Sequence, residues 1–335
     1  MKILLEDTIP FGRDYLDDLG EVTTYAWQTF TPDMLCDVDI LALRSTTKVT
    51  PKLLERANKL QLVTTATAGT NHLDKAYLDT REIPHASAAG CNAVAVAEYV
   101  LSVLLHAYRD GKLALPECTV GIVGAGNVGS ALSTILSALD IKHLLCDPPL
   151  EASGDGRDFV SLERISQCDV ISLHVPFVKE GPHATGCLID GHFLNSLNAK
   201  QLLINACRGE VIDEAALIQR LDKGEAPTVV LDVFDNEPNV NTALFKNVWF
   251  VTPHIAGHSV EGKVRGTQMI YEQISEVVGK PVEKQLSSFL SFRWNQSMFC
   301  FIVQEHLASL WKMLSAYFIK CTMLPLTISI QEKRC

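Results

Sequence analysis

Short apolar runs recur along most of the chain, set apart by polar turns. They alternate with stretches in which apolar residues fall every three or four positions. The first pattern is that of buried strands and the second that of helices. Strands are expected at 2–5, 40–43, 60–64, 120–123, 141–146, 170–174, 201–205, 228–233 and 248–251. Helices are expected at 11–19, 51–57, 93–109, 128–139, 162–167, 192–196 and 213–221, with Asn92 as a cap for the third. Such alternation predicts an α/β fold built on a parallel, doubly wound sheet, in which ligands gather at the carboxyl ends of the strands. A chain of 335 residues exceeds the usual size of one core, so more than one domain is expected. The first ninety or so residues read as a small α/β unit of their own.

The most informative stretch is Val120-Gly-Ile-Val-Gly-Ala-Gly-Asn-Val-Gly129. Gly124, Gly126 and Gly129 stand in G-x-G-x-x-G spacing between an expected strand and an expected helix, with Asn127 and Val128 at the helix start. A strand that turns sharply into a helix aims free backbone N–H groups and the positive end of the helix dipole at one point, where an anion fits. Gly124 permits the tight turn, Gly126 lets a pyrophosphate approach, and Gly129 lets the helix sit close on the sheet. An ordinary strand–turn–helix loop can carry the same triplet. The next strand, however, ends in Asp147, where the dinucleotide pattern places an acid that accepts hydrogen bonds from a ribose. Neither neighbour of that acid, Cys146 or Pro148, is basic. A ribose 2′-phosphate would be repelled, so the expected cofactor is NAD rather than NADP.

Later strand ends carry the chemistry: His174-Val-Pro176, Asn205-Ala-Cys-Arg-Gly209, Asp232-Val-Phe-Asp-Asn-Glu-Pro238 and Thr252-Pro-His254. Oxidation of a 2-hydroxy acid needs a base for the hydroxyl proton while hydride leaves the carbinol carbon. A histidine suits this, with a carboxylate on its far ring nitrogen to fix the tautomer. His254 is read as that base and Glu237 as its partner. The planar fork of Arg208 would take the substrate carboxylate bidentately. Taken singly, Arg208 could be a surface ion pair, Glu237 a helix-start acid and His254 a packed polar group. Their placement on strand ends behind the glycine loop favours the joint reading. His174 is expected near the cofactor rather than in the chemistry. Arg44-Ser-Thr-Thr-Lys48 and Ala66-Thr-Ala-Gly-Thr70 also follow strands. The first could bind phosphate or carboxylate or be a solvated loop, with Arg44 and Lys48 as candidate phosphate ligands.

Composition narrows the partners. A formal net charge of -10 without a basic block disfavours nucleic acid. The N-terminus meets acid at once and lacks the apolar core of a signal peptide. Ten cysteines without C-x-x-C pairs read as reduced thiols of a cytoplasmic protein. The most apolar late segment, 298–319, is interrupted by Glu305, His306 and Lys312, so no membrane span is expected. The remaining histidines lack paired ligand spacing, so no metal site is expected. Absence of a Gly-x-Ser-x-Gly elbow and of a P-loop lysine disfavours hydrolase and kinase readings.

From Met1 to about Leu290 the chain resembles the D-isomer-specific 2-hydroxyacid dehydrogenases. The motifs that carry the resemblance are Leu43-Arg-Ser45, Ala66-Thr-Ala-Gly-Thr70, Ala89-Gly-Cys-Asn-Ala93, Leu145-Cys-Asp-Pro-Pro149, Ile204-Asn-Ala-Cys-Arg-Gly209 and His254-Ile-Ala-Gly257. The resemblance implies a Rossmann nucleotide domain at 93–257 and a smaller flavodoxin-like substrate domain made of 1–92 and 258–290. It also implies Asp147, Val175, Cys207, Asp232 and Gly257 in the NAD site, Ser45 and Thr67 as substrate contacts, and Arg208, Glu237 and His254 as the catalytic set. The implied reaction is NAD-dependent oxidation of a phosphorylated four-carbon 2-hydroxy acid, by a cytoplasmic homodimer. Alternatives are 3-phosphoglycerate or another D-2-hydroxy acid as substrate, a non-catalytic NAD-sensing protein, or an inactive truncated product.

The chain departs from the family pattern at three places. His258 stands where close relatives carry a substrate-contacting tyrosine, and is taken as a substrate contact here. Asn71 replaces an acid. Residues 291–335 do not resemble the family's dimerisation domain; they contain no glycine or aspartate yet hold half of the chain's methionine and tryptophan. Either a shifted or prematurely ended reading frame or a lineage-specific helix would give this break. On either reading the isolated chain is expected to dimerise poorly or to aggregate, and a sharp dimer peak in light scattering would count against it.

Overall fold

The computed structural model describes residues 1–115 and 117–290. The chain divides into two compact units. Of the described residues, one contains Met1–Val96 and 257–290; the other contains Ala97–Ala256.

The first unit opens with β1 (Lys2–Glu6), α1 (Gly12–Leu16), β2 (Glu21–Tyr25), β3 (Ile40–Leu43), β4 (Leu62–Thr65), α2 (Lys75–Thr80) and β5 (His85–Ser87). Its strands form one parallel sheet in the order β2-β1-β3-β4-β5. Every residue of β3 and β4 is buried, as expected of strands covered on both faces. The periodicity did not reveal β2, β5 or α2. The β2 sequence Glu-Val-Thr-Thr-Tyr is a largely exposed edge, and β5 is three residues long. The expected helix at 11–19 ends already at Leu16, and the one at 51–57 is a single 3-10 turn over Leu53–Arg56.

Helix α3 (Ala93–Arg109) starts in the first unit and ends in the second. There follow β6 (Thr119–Val123), α4 (Asn127–Ala138), β7 (Lys142–Cys146), α5 (Pro148–Ala152), α6 (Leu162–Ile165) and β8 (Val170–Leu173). Next come α7 (Gly191–Ser196), β9 (Leu202–Asn205), α8 (Glu214–Lys223), β10 (Thr228–Leu231) and β11 (Phe250–Val251). All six strands are parallel, in the order β11-β10-β9-β8-β6-β7. Strand order reverses beside β6, the switch point at which such sheets bind ligands. The helices are punctuated locally: Asp147, Ser161, Asp190 and Asp213 cap α5, α6, α7 and α8 through side-chain oxygens, and Gly224 ends α8 at φ 70°. Ile122, Leu132, Leu136 and Leu104 meet on one face of the sheet. Leu173, Leu203, Leu194 and Leu217 meet on the other. Each such side chain contributes roughly 1.5–3 kcal/mol by leaving water.

The chain then returns to the first unit as α9 (Val260–Val278). Its Val264, Ile270, Tyr271 and Ile274 pack with Ile3, Leu5, Tyr15 and Leu16. The opposite face of that sheet is closed by Leu35, Leu54, Leu73 and Leu78. Among the described residues no helix is long and apolar enough to cross a membrane. The apolar segment 298–319 and the departing stretch 291–335 lie outside the described residues.

Candidate active site

The glycine loop has the geometry its spacing implies. Gly124 adopts φ 92°, and a Cβ there would stand 2.6 Å from the His174 carbonyl oxygen and 2.9 Å from Cγ1 of Val175. A Cβ on Gly129 would meet the Gly124 carbonyl oxygen at 2.0 Å, so only glycine lets α4 start so close to the sheet. Gly126, by contrast, has nothing within 4 Å of its would-be Cβ. The space over the first turn of α4, where Asn127 and Val128 begin the helix, is thus a cradle that a side chain would fill. It fits a pyrophosphate. Asp147 lies beside it: Oδ1 accepts from the Leu150 N–H at 3.1 Å and Oδ2 from the Ala125 N–H at 2.8 Å. The acid is therefore fixed against the loop, with lone pairs left for ribose hydroxyls.

His174 is buried, with Nε2 2.8 Å from Ser172 Oγ and, among the described residues, no partner for Nδ1. Burial pushes its pKa down to about 4. Cys207 donates to Asn205 Oδ1 at 3.2 Å, and burial pushes its thiol up to about 11, so it is an inert wall and no nucleophile. One basic group was missed by inspecting sequence neighbours alone. Arg157 reaches the loop from ten residues beyond Asp147, and its Nη1 donates to the Ala125 carbonyl at 3.0 Å and to Ser130 Oγ at 2.9 Å.

The expected His254–Glu237 contact is formed. His254 Nδ1 and Glu237 Oε2 are 2.7 Å apart, while Glu237 Oε1 accepts from the Phe234 N–H at 2.9 Å. A carboxylate has no proton to give, so Nδ1 donates and Nε2 is left to accept. His254 is half exposed and sits at φ 55°. Its turn is held by Asp232, whose buried carboxylate accepts from the N–H groups of Ile255 and Ala256 at 2.8 and 2.9 Å and from the Thr252 hydroxyl. Arg208 follows β9 in extended conformation. Asn205 ties this turn by donating from Nδ2 to the Arg208 carbonyl at 2.8 Å and accepting the Cys207 N–H at 3.1 Å. Gly209 packs backbone to backbone on the loop after β10, where a Cβ would stand 1.8 Å from the Phe234 carbonyl carbon. The Arg208 fork donates only to the neighbouring Cys207 carbonyl among the described residues, which leaves Nε and Nη2 for an acid.

In the first unit, Ser45 and Thr67 follow β3 and β4. Thr67 Oγ1 lies 2.8 Å from Thr65 Oγ1, which in turn lies 3.0 Å from His72 Nε2. Burial lowers the His72 pKa to about 4, keeping that ring neutral near pH 7. The segment around Ser45 is gathered by Glu6, a fully buried acid at the end of β1. It accepts from the Thr47 and Thr8 hydroxyls at 2.8 and 2.7 Å, from the Arg44 N–H at 2.9 Å and from Thr46. Burial alone would raise the Glu6 pKa; the bonds from Thr46, Thr8, Arg44 and Thr47 outweigh it and hold the group below the usual carboxylate value. The one sequence signal for Glu6 was an acid directly after the apolar run Ile3-Leu4-Leu5. Arg44 uses Nη1 on the Thr8 carbonyl at 3.2 Å, and Lys48 is exposed. Gly257 lies against Asn92, whose Nδ2 would be 2.2 Å from a Cβ there, and His258 is exposed. Among the described residues no group of three His, Cys, Asp or Glu could hold a metal ion.

Residues 106–256 match the family model described as D-isomer specific 2-hydroxyacid dehydrogenase, NAD binding domain. The erythronate-4-phosphate dehydrogenase of Pseudoalteromonas atlantica is 49% identical over 290 residues, covering 87% of this chain and 78% of that protein. The chain belongs to the D-isomer-specific 2-hydroxyacid dehydrogenase family. It is an NAD-dependent oxidoreductase with a Rossmann nucleotide domain. The Escherichia coli erythronate-4-phosphate dehydrogenase is 46% identical over 292 residues, covering 87% of this dehydrogenase and 77% of that one. Among solved structures, the NAD-bound 3-phosphoglycerate dehydrogenase of Entamoeba histolytica aligns with a TM-score of 0.70 at 25% identity, over 85% of this chain and 98% of that one. The Aquifex aeolicus D-lactate dehydrogenase, with NAD and lactic acid, aligns at 0.66 with 23% identity over 84% and 100%, a likeness of fold.

Proposed function

We propose that this dehydrogenase oxidises the 2-hydroxyl of 4-phospho-D-erythronate with NAD, giving 2-oxo-3-hydroxy-4-phosphobutanoate and NADH, a step of vitamin B6 synthesis in the cytoplasm. The observation that carries the chemistry is the 2.7 Å His254–Glu237 pair on a strand end of the NAD domain. Substrate identity is supported by the erythronate-4-phosphate dehydrogenases that share 44–49% of their aligned residues with the chain. In this reading residues 1–92 and 258–290 bind the substrate and 93–257 bind NAD. When bound, the nicotinamide supplies the hydride acceptor. Gly124, Gly126 and Gly129 receive the pyrophosphate at the start of α4, with Asn127 and Val128. Asp147 accepts from the ribose hydroxyls, and Val175, Cys207, Asp232 and Gly257 complete the lining.

His254 Nε2 removes the hydroxyl proton, and Glu237 stabilises the imidazolium through Nδ1. Arg208 grips the substrate carboxylate with its free N–H groups and draws charge from the nascent carbonyl. Ser45, Thr67 and His258 contact the rest of the substrate, with Arg44 and Lys48 as candidate ligands of its phosphate. NADH formation followed by absorbance tests the assignment: 4-phosphoerythronate should outperform 3-phosphoglycerate and D-lactate. No turnover by folded protein that still binds NAD would overturn the enzyme reading, and a preference for 3-phosphoglycerate would overturn the substrate.

A further inference from the structure

Asp147 and Arg157 hold the same residue of the glycine loop, one by its N–H and the other by its carbonyl. Asp147 takes the Ala125 N–H at 2.8 Å, and Arg157 takes the Ala125 carbonyl at 3.0 Å together with Ser130 Oγ at 2.9 Å. Ser130 Oγ itself donates to that carbonyl at 2.9 Å. The guanidinium is thus beside the acid that faces the ribose, and the Asp147 charge acts on it. An arginine at this place is what NADP-binding sheets use to receive the 2′-phosphate. Here the fork is already engaged. Asp155 takes Nε on Oδ1 and Nη2 on Oδ2, each at 2.8 Å, and its Oδ1 also accepts the Arg157 N–H at 3.1 Å. Phe159, bridged to Leu145 of β7, lies 5.5 Å beneath the guanidinium. Both members of the pair are partly buried, so solvent does not fully screen the pairing.

We propose that the Asp155–Arg157 pair is a second determinant of cofactor choice: Arg157 positions the glycine loop, and Asp155 withholds its guanidinium from a ribose 2′-phosphate. The family fingerprint places discrimination on Asp147 alone; the pair adds a cation that is present but occupied. Releasing it should make an anion's partner of a loop support. Binding of NAD and NADP by titration calorimetry reads this without turnover. Asp155→Asn should improve the NADP/NAD affinity ratio by about tenfold, the worth of one charge-assisted hydrogen bond. Adding Arg157→Ala to that variant should cancel the gain. Arg157→Ala alone should weaken NAD binding by about tenfold through loss of the Ala125 support, while the KM for the hydroxy acid stays within twofold. An unchanged ratio in Asp155→Asn, or equal ratios in the single and double variants, overturns the proposal. Should Asp155→Asn fail to fold by circular dichroism, Asp155→Ser, which equally lacks the second acceptor oxygen, carries the same expectation.

Discussion

Both oxygens of the Asp232 carboxylate are committed to the turn that carries His254. A non-glycine residue at φ 55° sits in a left-handed conformation that costs on the order of 1 kcal/mol or more. The bonds from Ile255, Ala256 and Thr252 offset that cost and aim the imidazole at Glu237. His254→Ala should lower kcat by roughly 100-fold or more, the ordinary worth of a positioned general base; an unchanged rate would reassign the base. Asp232→Asn replaces one acceptor oxygen by an NH2 group facing a backbone N–H, at about 1–3 kcal/mol for the unsatisfied pair. Should Asp232 act on proton transfer only by holding the His254 turn, the double variant would be little slower than His254→Ala alone. Additive losses would show that Asp232 acts on another step.

At the scale of elements, Glu6 does for the segment after β3 what Asp232 does for the segment after β11. It draws in Arg44 from one side of Ser45 and Thr46 and Thr47 from the other, so Ser45 sits between residues that are all held by this acid. Glu6→Gln removes the charge and one acceptor while keeping the shape. The KM for the hydroxy acid should rise by about tenfold and the KM for NAD should hold; equal changes in both would mark general unfolding instead. Helix α9 is placed by a different device. Gly266 rests on the Ala66 carbonyl, which a Cβ would approach to 2.6 Å, so Gly266→Val should lower the thermal midpoint of the first unit by several degrees, with a ΔΔG of about 1–3 kcal/mol. An unchanged melting curve would show that the helix can shift.

These elements also show where legibility in the sequence stopped. Buried strands such as Ile40–Leu43 and the glycine loop announce themselves because one local pattern fixes them. Glu6 and Arg157 do not, because their partners lie 38 residues away for Arg44 and 32 for Ala125. The segment 260–278 mixes Glu, Lys, Arg and Gly with its apolar face and gave no clean period. The pairing of Glu237 with His254 was readable because each follows a strand of one parallel sheet. The cation beside Asp147 was not, because it arrives from the next turn rather than from a neighbouring position.

Across the whole molecule, each unit buries a histidine whose charging is disfavoured: His72 in the first and His174 in the second, both lowered by burial to about 4 from 6.5. The unfolded chain then binds protons between pH 6.5 and 4 that the folded chain refuses, so stability falls as the pH drops through that window. For the fully buried His174 the loss by pH 4 is on the order of 3 kcal/mol; for His72, which keeps some exposure, it is smaller. Glu6 adds a later loss, since its folded pKa lies below the ordinary 4.5 and its contribution disappears only as the pH falls beneath that value. Denaturant midpoints should therefore decline from pH 6.5 to 4, with a further loss from Glu6 below 4.5. His174→Gln keeps an amide for the Ser172 hydrogen bond but cannot take up the proton. It should flatten the decline of the second unit while leaving that of the first, read by hydrogen exchange at β8 against β4. Parallel slopes in the variant and the parent would show that His174 is charged in the folded protein, contrary to its burial.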